Sequence, residues 1–179
     1  MTSHSTSLLP HLLGTDQPRQ PLRLQLSGSP GRATLDGGWW PQSSDIEVEL
    51  AELIDRFPAV LGQVQRALYS RPDWDTHPRS IRVARGRLKT GSFPRDDTHM
   101  LVLSMSTRTQ LRLLVVPYDQ PMGEEAMALA ADPSNRSSAA EILAAYALSE
   151  DVGEAQDHWT DDGGSWWRHE DGPPSWRRA

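Results

Sequence analysis

The stretch Leu35-Asp36-Gly37-Gly38-Trp39-Trp40-Pro41 constrains the fold of this chain more than any other. Two indoles stand side by side, flanked by two residues without a side chain and by one without a backbone donor. Successive side chains on a strand point to opposite faces, so Trp39 and Trp40 do not share one pocket. One indole can serve a core while the other faces a second layer, a partner or a ligand.

A helix signal follows directly. Ser44-Asp45-Ile46-Glu47 reads as a capping box, with Ser44 accepting from the backbone N–H of residue 47 and Glu47 reaching back. Ile46, Leu50, Leu53, Ile54 and Phe57 then recur at helical spacing and form one apolar stripe. The spacing predicts a long helix over 45–61, disturbed by Pro58 and stopped at Gly62. Strict alternation over Leu22-Arg23-Leu24-Gln25-Leu26 predicts a half-buried strand, and Ala33 to Trp40 a second. Further strands are expected over Val64–Tyr69, Met100–Met105 and Leu111–Val116, the last two joined by a hairpin at 106–109. Ile81-Arg82-Val83 alternates and loses phase at Gly86, which reads as a bulge. The continuous apolar run Leu113-Leu114-Val115-Val116 marks a central strand covered on both faces. An Ala-rich helix is expected over Gly123–Ala131. A second capping box, Ser138 to Glu141, opens another helix carrying Ile142, Leu143 and Tyr146. The expected fold is α+β: an antiparallel, twisted sheet of five or six strands, with one long helix and two shorter C-terminal helices packed on it.

These elements occupy 20–148, expected to form one domain. Residues 1–19 mix Ser, Thr, Pro and His, and 149–179 are acidic, Gly-rich and punctuated by tryptophan, so both ends are expected to be disordered. A hydrophobic content of 37% fits a chain that keeps part of itself out of the core. Cysteine is absent, which excludes disulfides and thiolate chemistry and suits a reducing compartment. No apolar run approaches the roughly 20 residues that span a bilayer, and the N-terminus lacks a secretory pattern. Cytoplasmic residence without membrane contact is the expectation. The net charge of −6 is unevenly spread: residues 66–95 hold eight Arg or Lys against Asp73 and Asp75, whereas 150–179 hold eight acids against three arginines. A basic middle and an acidic tail attract each other at low salt.

Four groups of residues carry candidate chemistry. Asp36 with Trp39 and Trp40 offers a carboxylate beside a stacking face, although an Asp-Gly turn with an aromatic anchor is the favoured reading. Trp74-Asp75, with His77 and Arg79, offers acid/base and anion-binding groups. No nucleophile is visibly coupled to the histidine, and capping of a Pro- and Asp-rich loop is favoured. The ribbon Arg79, Arg82, Arg85, Arg87 and Lys89 can follow a phosphate backbone. Odd and even positions take opposite faces, so the five converge only if Gly86 realigns them, and a solvated face is favoured. Trp159, Trp166, Trp167 and Trp176 lie among Asp, Gly and Pro, a composition suited to linear recognition of a partner's groove. The competing reading is that these indoles fold back on the sheet. The histidines show no ligand spacing, so no metal is expected. No nucleotide or nucleophile motif is present, and no cofactor is expected.

The Asp36-Gly37-Gly38-Trp39-Trp40-Pro41 signature, the Ser43 and Asp45 start of a Leu-rich helix, Trp74-Asp75, Leu113-Leu114-Val115-Val116-Pro117 and Ala139 to Ala145 together resemble a family of small actinobacterial proteins of unknown function. The resemblance spans about residues 20–148 and implies a soluble, single-domain actinobacterial protein. It implies no activity, cofactor or catalytic residue. On these grounds a non-enzymatic binding or regulatory module is favoured, engaging a protein partner through the tail tryptophans and the exposed member of Trp39/Trp40. The alternatives are a small-molecule or anion-binding enzyme with a pocket near Trp74-Asp75 and, more weakly, nucleic-acid binding through 79–89.

Overall fold

The computed structural model describes residues 19–31, 33–93 and 99–147. The N-terminal segment up to residue 18 and the tryptophan-rich tail lie outside the described residues.

Seven strands form one sheet: β1 (Leu24–Leu26), β2 (Gly37–Trp39), β3 (Val64–Tyr69), β4 (Ser80–Val83), β5 (Gly86–Ser92), β6 (Met100–Met105) and β7 (Gln110–Val115). Their order is β1-β2-β7-β6-β3-β5-β4. The β2/β7 and β3/β5 pairs are parallel and the remaining pairs antiparallel. The sheet is therefore mixed and seven-stranded, which corrects the expected antiparallel sheet of five or six. The reason is non-local. The β4–β5 hairpin folds back so that β5, and not β4, lies beside β3. Strand alternation reports which face a residue takes and carries no word of its neighbour strand.

Three helices cover the sheet: α1 (Ile46–Asp55), α2 (Gly123–Ala131) and α3 over 139–147. The N-cap of α1 is Asp45, one residue later than expected. Its Oδ1 accepts from the backbone N–H groups of Glu47 at 3.0 Å and Val48 at 3.4 Å. Ser44 is diverted, its hydroxyl donating to Asp75 at 2.6 Å. The helix stops at Asp55, short of the expected residue 61. Pro58 disfavours helical backbone at the residue before it, and a separate turn, Ala59–Leu61, follows. The second capping box forms as expected: Glu141 accepts from the Ser138 N–H at 2.7 Å, and the Ser138 hydroxyl accepts from the Glu141 N–H at 3.3 Å.

The two faces of the sheet hold separate cores. On the front, α1 sets Ile46, Leu50 and Leu53 against Ala67, Tyr69, Leu101, Leu103 and Leu113. On the back, α2 and α3 set Ala126, Met127, Ala130, Ala139 and Ile142 against Leu35, Leu114 and Val116. Leu113 to Val116 are thus buried from both sides, as the unbroken apolar run implies. Each fully buried side chain of this size contributes about 1.5–3 kcal/mol.

The paired tryptophans are the pivot between these layers. Trp39 is buried on the front, stacked on Trp74 with ring centroids 5.5 Å apart. Trp40 turns to the back and packs against the second core. The glycines explain how α2 comes so close. A Cβ on Gly38 would fall 2.6 Å from the Met127 Cα, and one on Gly123 would fall 2.2 Å from the Trp40 ring. Helix and strand touch through bare backbone there.

Candidate functional site: an open cationic sheet face and an adjoining cleft

The back of the sheet is only half covered. Helices α2 and α3 lie over β2 and β7, and among the described residues no helix lies over the back of β3, β5 and β4. Alternation puts Ala67, Tyr69, Ile81 and Leu88 forward, so their sequence neighbours face back. Register then lines up cations: Arg82 stands opposite Arg87, and Lys89 opposite Arg66. Two strands further in, on β7, Arg112 stands opposite Val102 of β6. The Arg66 guanidinium and Leu68 approach the position a Cβ would take on Gly91, 3.5 and 3.0 Å away, so these two side chains lie over the bare backbone of that glycine. Arg87 reaches diagonally to the Ser80 hydroxyl at 2.7 Å. Arg112 is anchored by the Ala33 carbonyl at 2.9 Å and lies 3.8 Å from the buried Asp36 carboxylate. Arg66, Arg82, Arg87 and Lys89 are exposed and have no carboxylate partner among the described residues. No acid occupies a back-facing position on β3 to β7.

This rearranges the ribbon expected from sequence. Gly86, at φ 126°, belongs to a tight hairpin rather than a bulge, with Ala84 and Arg85 at its tip. The hairpin turns Arg82, Arg87 and Lys89 to one face. Arg85 is left at the turn, and Arg79 is exposed ahead of β4. Arg66 and Arg112, both missed by sequence reasoning, join the face from strands distant in the chain. Their backward orientation was legible from alternation with Ala67 and Leu113, and the expected hairpin put Arg112 beside β6, but the pairing of Arg66 with β5 was not legible.

A second feature lies near the end of β2 and β7, where Trp74 and Asp75 border a cleft of about 320 Å³ lined also by Ser44, Asp73, His99 and Tyr118. Asp73 holds His99 by accepting from its backbone N–H at 3.0 Å, and its other oxygen lies 2.7 Å from Nδ1 without the geometry of a hydrogen bond. That grip maintains His99 in the left-handed backbone region, φ 66°, uncommon for a side chain other than glycine. Trp74 is 5% exposed, and its Nε1 has no hydrogen-bond partner among the described residues. Both serine hydroxyls here bond to carboxylates, Ser44 to Asp75 at 2.6 Å and Ser43 to Glu49 at 2.7 Å. No hydroxyl in the cleft bonds to His99, so no nucleophile–base couple is present among the described residues.

The constellation Asp36, Asp75, His77 and Arg79 does not converge. Asp36 is 1% exposed and sits on β2's side of the sheet, where it accepts from the N–H groups of Gly31 at 2.5 Å and Arg112 at 2.8 Å. It ties the turn after β1 to β7 and faces no ligand. His77 lies against the Tyr69 ring, with centroids 6.3 Å apart. Trp39 is inaccessible to a partner. Trp40 is half-buried, with Nε1 donating to the Pro117 carbonyl at 3.1 Å and Arg23 stacked 3.7 Å from its ring centroid. Trp159, Trp166, Trp167 and Trp176 fall outside the described residues. Burial of the Tyr69 phenol pushes its pKa above the usual tyrosine value.

Among the described residues, no group of three or more His, Asp and Glu is placed to hold a metal, and no helix is long and apolar enough to cross a membrane. Fold and surface define a mixed α+β domain whose distinguishing feature is an uncovered cationic sheet face. The model of a family of unknown function, DUF5994, matches residues 22–132, more than half of the chain, and the protein belongs to that family. No curated protein and no solved structure matches it.

Proposed function

We propose that this protein is a non-enzymatic binding module, resident in the cytoplasm, whose open sheet face engages an acidic segment of a protein partner. The observation that carries the reading is the row Arg82–Arg87 and Lys89–Arg66, exposed on one face without a carboxylate partner among the described residues. Directly opposed like charges are destabilising, by about 0.2–1 kcal/mol per pair. A sheet that keeps them has a use for the field they create. Leu68 and Gly91 between the cations supply an apolar floor for side chains of a docked polypeptide.

An acidic polypeptide suits this face better than a nucleic acid does. Single-stranded nucleic acids are held on sheets by aromatic side chains that stack on bases. No back-facing strand position from β3 to β7 carries an aromatic residue.

The test compares the full chain with a variant carrying Arg66→Gln, Arg82→Gln, Arg87→Gln and Lys89→Gln, titrated with poly-L-glutamate and with oligothymidylate. The full chain is expected to bind polyglutamate at about 0.1 M salt, and the variant about tenfold more weakly or worse. Equal polyglutamate binding by both proteins sinks the reading. Tighter binding of oligothymidylate, lost in the variant, replaces it with nucleic-acid recognition.

A further inference from the structure

The open face has a candidate occupant in the same chain. We propose that residues 148–179 dock in cis on the cationic face and mask it until a partner displaces them; this rests on the face being the binding surface argued above.

Three observations support the assignment. The first is charge. Residues 150–162 contain Glu150, Asp151, Glu154, Asp157, Asp161 and Asp162 and no lysine or arginine, and the face presents Arg66, Arg82, Arg87 and Lys89 without partners among the described residues. The second is where the described chain ends. Helix α3 lies on the back of the sheet, with Leu143 and Tyr146 packed in the cluster that contains Leu114 and is bordered by Met100 at the start of β6. The described chain therefore ends at 147 on the back of the sheet, three residues before the acidic run in the sequence. The third is reach. Four strand spacings separate β7 from β4, about 19 Å at 4.8 Å each. Thirteen extended residues span up to about 45 Å, so 150–162 cross the open half with chain to spare.

The chemistry of the contact follows from the side chains. Carboxylates pair with guanidinium groups through two parallel hydrogen bonds, which favours Arg66, Arg82 and Arg87 as donors to the carboxylates of the run. Trp159 stands among these acids in the sequence, and an exposed guanidinium of the face offers an indole a stacking partner. An arginine stacked on an indole is a contact this chain already makes, Arg23 on Trp40 at 3.7 Å. A docked tail makes the face unavailable to acidic partners in proportion to its local concentration, as a tethered competitor does.

The absence of cysteine allows a clean test on the full chain. A spin label placed at Ser104→Cys, on the back of β6 opposite Arg66, is compared with one at Ser29→Cys, in the turn after β1 at the far edge. At about 0.1 M salt the Ser104 label is expected to broaden the indole N–H signals of tail tryptophans, with the Trp159 signal affected most. The Ser29 label is expected to leave them sharp. Broadening fades at about 1 M salt, where screening shortens to about 3 Å. Sharp tail signals with both labels overturn the proposal, and so does broadening that disappears on dilution, which assigns the occupant to a second copy.

A second measurement separates this idea from the one beneath it. Replacing the six acids of 150–162 with Asn and Gln is expected to strengthen polyglutamate binding about tenfold. Unchanged affinity, in a protein whose binding still depends on Arg66, Arg82, Arg87 and Lys89, removes the masking tail and leaves the binding face. Binding that ignores those four residues in both backgrounds removes both.

Discussion

The back of the sheet has two halves built on the same strand alternation, and they meet their surroundings in opposite ways. Over β2 and β7 the outward positions are Gly38, Leu114 and Val116, and α2 descends until Met127 touches the strand backbone. Over β3, β5 and β4 the outward positions are Arg66, Arg82, Arg87 and Lys89, and no described helix approaches. Burying an unpaired guanidinium under an apolar helix costs several kcal/mol, more than a short helix face returns. The cations thus decide where the second layer stops. What is left is a surface that water or an acidic chain can cover.

The sharpest way to break this contrast is at its covered side. Leu113→Ala deletes a fully buried side chain in the strand flanked by both layers. We expect a loss of about 3 kcal/mol in urea unfolding. A loss below about 1 kcal/mol would mean that β7 is not the covered centre of the sheet.

A smaller effect probes the bare-backbone contact. Gly38→Ala introduces a Cβ 2.6 Å from the Met127 Cα, so α2 must move as a body. About 2 kcal/mol of destabilisation is expected. The loss should be accompanied by a change in Trp40 fluorescence, because Gly123 supports that ring. Unaltered stability and fluorescence would show that α2 sits less tightly than the distances indicate.

The smallest expected effect lies on the open half, and its sign is reversed. Arg82→Gln removes one of two facing arginines, so stability should rise by about a few tenths of a kcal/mol at low salt. The gain should vanish near 1 M salt as the repulsion is screened. Destabilisation instead would point to a carboxylate partner for Arg82.

Much of the fold was legible before any coordinates. The β3, β6 and β7 strands, the α2 helix and the second capping box all follow from local pattern, because each is decided by residues within one or two turns of chain. The long helix was misjudged at its end for an equally local reason: Pro58 ends α1 outright, where the apolar stripe through Phe57 suggests continuation. Asp45 displaced Ser44 as the cap because Ser44 found Asp75, a residue from a distant loop. The candidate site fared less well. Arg82, Arg87 and Lys89 were visible as a basic ribbon, but Arg66 and Arg112 belonged to other strands and offered no sequence signal of their proximity. Asp36 reads from sequence as a ligand carboxylate or, preferably, as part of a turn, and it is sealed between β2 and β7 with its oxygens accepting from Gly31 and Arg112. Asp73 and His99 were not singled out, since their pairing joins two loops whose closeness depends on β3 lying against β6.

From the order of residues alone came the face each side chain takes, the bounds of β3, β6 and α2 and the two-sided burial of Leu113 to Val116. Those properties rest on short-range forces: backbone sterics, capping and the period of apolar residues. Tertiary structure decided which strands are neighbours, and with them which charges share a surface. Strand pairing is set by loop closure and by competition for the two apolar faces, neither of which is written in any window of a few residues. The cationic face exists because β5 inserts between β4 and β3, and that insertion is a property of the folded whole.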